Sequence, residues 1–200
     1  SFARRSFPVS RIPYPGYFGA TDDGAHSVSD IVACLQNPSP DSCFTDAMPD
    51  NATAPFYVFE RSHLSAIAPE LTQDFPKVPS PFRLPPVMAQ TPSQPQFFLG
   101  PPLSGAPVHY HGDAWNGVAF GAKRWFLYPP SRAKYSRRPV VEWLADEMDT
   151  WSSDNPDVPL QCMQFAGDLM FVPRDWGHAV VNVQNTIGVA SEFTSFMSRY

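Results

Sequence analysis

Proline sets the first limit on what this chain can fold into. It accounts for 24 of the 200 residues, against roughly 5% in an average chain. Each proline lacks an N–H donor and clashes with the preceding helical turn. An all-helical bundle or a coiled coil is excluded at that density. A β-rich fold with long ordered loops is predicted instead. Hydrophobic residues make up 43% of the chain and aromatics 14%, with 16 Phe, so the material for a buried core is ample. The length favours one domain over residues 1–200.

Charge narrows the choice of partners. There are 19 acidic and 14 basic residues, a net charge of −5, and general nucleic-acid binding is not expected from a chain of that sign. No stretch approaches the roughly 20 apolar residues needed to span a bilayer. The three cysteines, Cys34, Cys43 and Cys162, follow no zinc-site spacing. Cys34 and Cys43 are close enough in sequence to close a small disulfide loop. Asn51-Ala52-Thr53 matches a glycosylation sequon. Together they tilt the expected compartment toward the secretory pathway, such as the lumen of the endoplasmic reticulum.

Residues 1–24 read as an extended arm rich in Pro, Gly and aromatic rings. Ser27 to Gln36 has helical spacing, with Ser27 or Ser29 as cap and Ile31, Val32 and Leu35 as the apolar stripe. Phe56 to Glu60 reads as a strand, Leu64 to Leu71 as a short helix, and 75–95 as a proline-dense surface connection. The two proline-rich segments offer surface for a partner protein. From residue 97 to 193 the texture becomes one of short strands and turns, as in a sandwich or barrel. Val140 to Trp151 interrupts it with helical spacing and is expected to be the longest helix. The basic run Arg132, Lys134, Arg137, Arg138 reads as a solvated loop.

Three of the five histidines are candidates for one site. His109 and His111 are two apart, which on a strand puts both on one face. His178 follows the tight turn Pro173-Arg174-Asp175-Trp176-Gly177, a position that belongs at a barrel mouth. Two ligands from one strand and a third from a later one is how a small barrel builds an open metal site. Lys123, Trp125 and Leu127 share a strand face, as do His178, Val180 and Asn182.

The histidines sit in a wider pattern: Val108-His109-Tyr110-His111, Trp115-Asn116, Gly121-Ala122-Lys123-Arg124-Trp125, Pro129-Pro130, and Gly167-Asp168-Leu169-Met170-Phe171-Val172-Pro173-Arg174-Asp175-Trp176-Gly177-His178. This resembles the Jumonji C (JmjC) family of Fe(II)- and 2-oxoglutarate-dependent oxygenases, including its small hydroxylase-like and endoplasmic-reticulum-lumenal members. The resemblance is strong over 97–193. It implies a mainly β fold, the double-stranded β-helix or jelly roll of the cupins, with a few short peripheral helices. It implies Fe(II) as the metal, 2-oxoglutarate as co-substrate, and a protein or peptide substrate rather than a small molecule. His109 and His178 fall on the family's first and last metal histidines. Lys123 falls on the lysine that pairs with the distal carboxylate of 2-oxoglutarate, and Asn116 and Asn182 on co-substrate amides.

Departures from the family open alternatives. The carboxylate ligand that usually follows the first histidine by two residues is His111 here. The site is then a three-histidine centre of His109, His111 and His178, a shifted centre with Asp113 as the alternative ligand, or a degraded one. Fe²⁺ with three neutral imidazoles carries +2; with two and a carboxylate it carries +1. Histidine-rich sites also accept Zn or Ni, so either ion is an expected occupant in a crystal. A threonine common before the first histidine is Ala106, and a later polar position is Ala190. Two functions remain open: a 2-oxoglutarate-dependent dioxygenase that hydroxylates or demethylates, or a catalytically inactive JmjC or cupin domain acting as a binding or assembly module.

Overall fold

The structure is a computed structural model that describes residues 4–11, 13, 24–37, 55–60, 96–152 and 154–193. The candidate helix at Leu64 to Leu71, the connection at 75–95, Cys43 and Asn51 lie outside the described residues. Among those described, the chain is mostly strand. In order they are β1 (Ser6–Pro8), β2 (Ala25–Ser27), α1 (Val28–Gln36), β3 (Val58–Glu60), β4 (Gln96–Gly100), β5 (Gly105–His109), β6 (Ala114–Phe120), β7 (Ala122–Tyr128), α2 (Val140–Met148), β8 (Leu160–Phe165), β9 (Leu169–Val172), β10 (Gly177–Asn182) and β11 (Thr186–Glu192).

Two antiparallel sheets build the body. One has four strands in the order β5-β10-β7-β8, the other five in the order β3-β4-β11-β6-β9. Only β3 with β4 and β7 with β8 are neighbours both in sequence and within these two sheets, a pattern of crossovers that marks a jelly roll rather than a meander. The interior is shared: Ala106, Trp125 and Val180 of the four-stranded sheet and Val172 of the five-stranded sheet pack in one buried cluster. This is the β-rich sandwich expected from the proline density and the short strands, in the jelly-roll form that the resemblance implied.

Each sheet buries its outer face under a helix. Helix α2 sets Val140, Trp143 and Leu144 on Val108, Phe126, Tyr128, Ala179 and Val181. Ile31 and Cys34 of α1 join Phe7, Val9, Phe56, Val58 and Leu99. Ser27 caps α1, its hydroxyl accepting the Asp30 N–H at 3.2 Å, which satisfies one of the orphan donors of the first turn. The apolar stripe differs from the expected one. Ile31 and Cys34 are buried, one turn apart, whereas Val32 is 38% exposed. One residue on from Ile31 is about 100° around the helix, so Val32 turns away from the sheet. Among the described residues both α-helices have nine residues, so α2 is not the longer of the two. It ends at Met148, and Trp151 packs on Phe126 from beyond it, ring centres 5.4 Å apart.

The basic run after β7 is tied to α2. Lys134 pairs with Glu147 at 2.9 Å, and Arg138 pairs with Glu142 and Asp146. Cys34 is disulfide-bonded and Cys162 is free. No helix among the described residues is long and apolar enough to cross a membrane.

Candidate metal centre

His109 and His178 face each other across the β5–β10 ladder as direct register partners. Their ring centres are 4.2 Å apart. The approach depends on Gly105 at the start of β5. Its φ is 152°, and a Cβ there would run into the Val180 carbonyl of β10. Only glycine lets the two backbones lie that close. His111 lies past the end of β5, in the loop before β6, rather than on the strand with His109. The shared face therefore comes from an extended chain continuing beyond the last ladder residue. Its ring centre is 5.4 Å from that of His109 and 4.7 Å from that of His178. One ligand nitrogen from each of the three lies within 4.8 Å of the others.

Backbone carbonyls orient all three rings. The Nδ1 of His109 is 2.7 Å from Pro107 O, that of His111 2.8 Å from Gly112 O, and that of His178 2.9 Å from Trp176 O. A carbonyl only accepts, so each Nδ1 carries the proton and donates it. Each Nε2 is then left with a lone pair toward the common centre. Burial, and then the neighbouring His111, lowers His109 to about 4. Burial and both neighbouring imidazoles hold His178 well below the usual histidine range. Neutral rings with converging lone pairs repel one another without a cation between them. The donor set therefore fits a divalent transition ion, and an all-imidazole set suits Fe, Zn or Ni.

The histidines line an open cavity together with Tyr57, Phe59, Ala106, Asn116, Trp125 and Ala190 among others. Asn116 is 7% exposed, and its Oδ1 has no partner among the described residues. Trp125 is held by Gln164, whose Oε1 accepts the indole N–H at 2.8 Å. The Gln164 amide donates in turn to Asn116 O at 2.7 Å. That buried glutamine joins the two sheets below the metal centre. It carried no motif in the sequence, and only the register of β8 on β7, Gln164 opposite Lys123, points it inward.

Lys123 is completely buried, but it does not reach the cavity wall. Its Nζ sits 3.9 Å from the centre of the Phe98 ring and 3.2 Å from the Tyr57 hydroxyl. Burial alone lowers it to about 7. Tyr57 stands between the amine and the cavity and touches both. Nothing in the sequence set it apart from the other tyrosines. Asn182 is buried beside Lys123 but is not on the cavity wall. Its amide donates to Ser104 Oγ at 2.9 Å and to Gly100 O at 3.3 Å, and its Oδ1 has no partner among the described residues. It holds the turn between β4 and β5 rather than facing the open space. Asp113 lies outside the converging group; its Oδ1 accepts the Arg174 N–H at 2.9 Å.

No family model matches the chain. Among curated proteins it is 33% identical over 116 residues to a JmjC domain-containing protein 8 of Rattus norvegicus, covering 56% of this chain and 40% of that protein. It is 33% identical over 116 residues to the bifunctional arginine demethylase and lysyl-hydroxylase psr-1 of Caenorhabditis elegans, covering 50% and 29%. It is 30% identical over 112 residues to the arginine-specific demethylase JMJ22 of Arabidopsis thaliana, covering 48% and 22%. The chain thus spans less than half the length of these relatives.

Proposed function

Starting from the chain's relationship to the JmjC family of Fe(II)- and 2-oxoglutarate-dependent oxygenases, we propose that it is a 2-oxoglutarate-dependent dioxygenase that hydroxylates or demethylates a protein or peptide. The observation that carries this reading is the carbonyl-oriented triad of His109, His111 and His178 at the head of an open cavity. Relatives bearing demethylase and hydroxylase names support it.

The three imidazoles would hold Fe(II), which when bound supplies the oxygen chemistry. The remaining work belongs to the chain. Neutral ligands leave the ion its full charge, which favours an anionic co-substrate beside it. Lys123 is the buried cation available for the distal carboxylate, reached through Tyr57. Asn116 offers an amide oxygen on the cavity wall with no partner among the described residues, and Trp125 lines the same wall. A carboxylate entering that apolar space needs a fixed partner, and an anion beside the Lys123 amine favours its protonated form.

The test is succinate release from 2-oxoglutarate in air, with Fe(II) added to metal-free protein and a library of cationic peptides. Fe(II)-dependent succinate supports the reading. Metal binding without succinate, and without any heat from 2-oxoglutarate, moves the assignment to a non-catalytic binding module. That second reading is favoured by the histidine in place of the carboxylate ligand and by the covered position of Lys123.

A further inference from the structure

The acid two residues past His111 is the least explained polar group near the centre. Asp113 is 5% exposed, and a carboxylate that deeply buried is costly unless it is paired. It is not one of the converging ligands. Its Oδ1 accepts the Arg174 N–H at 2.9 Å, while Oδ2 has no partner among the described residues. Its main-chain carbonyl accepts the Phe193 N–H at 2.8 Å.

Arg174 belongs to the turn that delivers His178. In that turn Asp175 sits at φ 62°, a left-handed conformation that a non-glycine residue keeps only when its surroundings hold it. The Asp175 N–H donates to His111 O at 2.9 Å, and the Trp176 carbonyl orients His178. Two successive turn amides are therefore fastened to the loop bearing His111, one on its backbone and one on the Asp113 side chain. The first bond runs from main chain to main chain, so any residue at 111, and any but proline at 175, could make it. The second depends on the residue type at 113.

We infer that Asp113 is a positioning residue rather than a ligand, its carboxylate clasping the Pro173–Gly177 turn to the Tyr110–Asp113 loop so that His111 and His178 stay at ligand spacing. The inference rests on the triad being a metal centre. It accounts for a buried acid that the ligand set leaves over, and it makes Asn an adequate substitute, since an amide oxygen also accepts an N–H. A carboxylate ligand has no such tolerance.

The experiment titrates Co(II) and Zn(II) into metal-free full-length chain, followed by calorimetry and by the Co(II) visible absorption band. Asp113→Asn is expected to bind within about threefold of wild type with an unchanged band. Asp113→Ala, which leaves the Arg174 N–H unpaired, is expected to bind about tenfold more weakly at unchanged one-to-one stoichiometry, with a shifted band and faster exchange of the Arg174 amide proton. His111→Ala is expected to lose at least a hundredfold. A loss in Asp113→Asn as large as that in His111→Ala overturns the inference in favour of a ligand role. Wild-type affinity in Asp113→Ala overturns it as well. Should Asp113→Ala fail to fold, Asp113→Asn alone still separates clasp from ligand. Failure of the wild type to bind either ion overturns the metal reading itself, a pattern distinct from the other two.

Discussion

The two ends of the barrel interior are prepared in opposite ways. At the mouth, three imidazoles are fixed by main-chain carbonyls one or two residues away and present lone pairs to one point. At the floor, Lys123 lies under Phe98 and Tyr57 with one hydrogen bond and no acid beside it among the described residues. The mouth waits for a cation that it is already shaped to hold. The floor holds a cation's side chain in a setting that discourages its charge. The contrast teaches that burial of a titratable group has no single meaning. Burial lowers His109 and Lys123 alike, but for the histidine the neutral form is the working ligand. For the lysine the neutral form prevails only above about pH 7, and a bound anion would restore the charge there.

The contrast breaks most severely at the mouth. His109→Ala and His178→Ala each remove one of three nitrogens and leave an apolar gap that no nearby donor fills. Metal affinity is expected to fall by a hundredfold or more in each, measured by competition with a chromogenic chelator. The fold should survive, because the Val108 and Ala179 packing against α2 is untouched. Near-wild-type affinity in either variant would remove that histidine from the ligand set.

At the floor, Lys123→Ala is expected to leave metal binding intact and to weaken 2-oxoglutarate several-hundredfold. A carboxylate buried without its partner costs about 3–5 kcal/mol. The same lysine gives a pH signature whose sign can be worked out. Its amine is lowered to about 7 in the free protein and returns toward its ordinary range when a carboxylate pairs with it. Above pH 7 the ligand must therefore bring in a proton, so affinity falls as pH rises from about 7 toward the bound-state value. Below 7 the slope vanishes. Without ligand the sign for folding is the reverse. The unfolded chain holds the lysine proton between about 7 and its ordinary value of 10.5, so stability rises with pH across that window. Calorimetry of 2-oxoglutarate in two buffers of different ionisation enthalpy at pH 8 measures the proton directly. Equal heats in both would mean that Lys123 does not charge on binding.

The two ends were also unequally legible in the sequence. His109, His111, His178 and Lys123 stood out because their spacing and neighbours form a pattern along the chain. The β-rich class followed from proline density, and the strands and their sandwich arrangement from short apolar runs between Gly and Pro turns. What stayed hidden is set by contacts between distant segments. Tyr57 meets Lys123 across 66 residues of chain, and Gln164 meets Asn116 across 48; no local period encodes either. The placement of His111 beyond β5 rather than on it was hidden for another reason. Extended loop and strand share the same alternation, and only the ladder hydrogen bonds tell them apart. Val32 shows the limit on helices: three apolar residues can fit a stripe while the sheet below accepts only those at the right angle.

The mildest change sharpens the contrast most. Tyr57 touches both the cavity and the lysine, so Tyr57→Phe keeps the ring and deletes only the hydroxyl bonded to Lys123 at 3.2 Å. The buried ring packs with Phe98, Val118 and Ala190, and that packing is retained, so folding should change little beyond the loss of one hydrogen bond. Without the hydroxyl the amine has no polar partner in the free protein, which disfavours its charge further. In the bound state the carboxylate replaces the missing partner for the amine but loses a donor of its own. The net expectation is a threefold to tenfold drop in 2-oxoglutarate affinity, with metal affinity unchanged and the onset of pH dependence moved below 7. A larger drop, comparable to that of Lys123→Ala, would make Tyr57 a principal anchor and the floor a two-residue site. An unchanged affinity and pH profile would mean that the ligand never reaches this end, leaving the mouth as the functional half of the barrel.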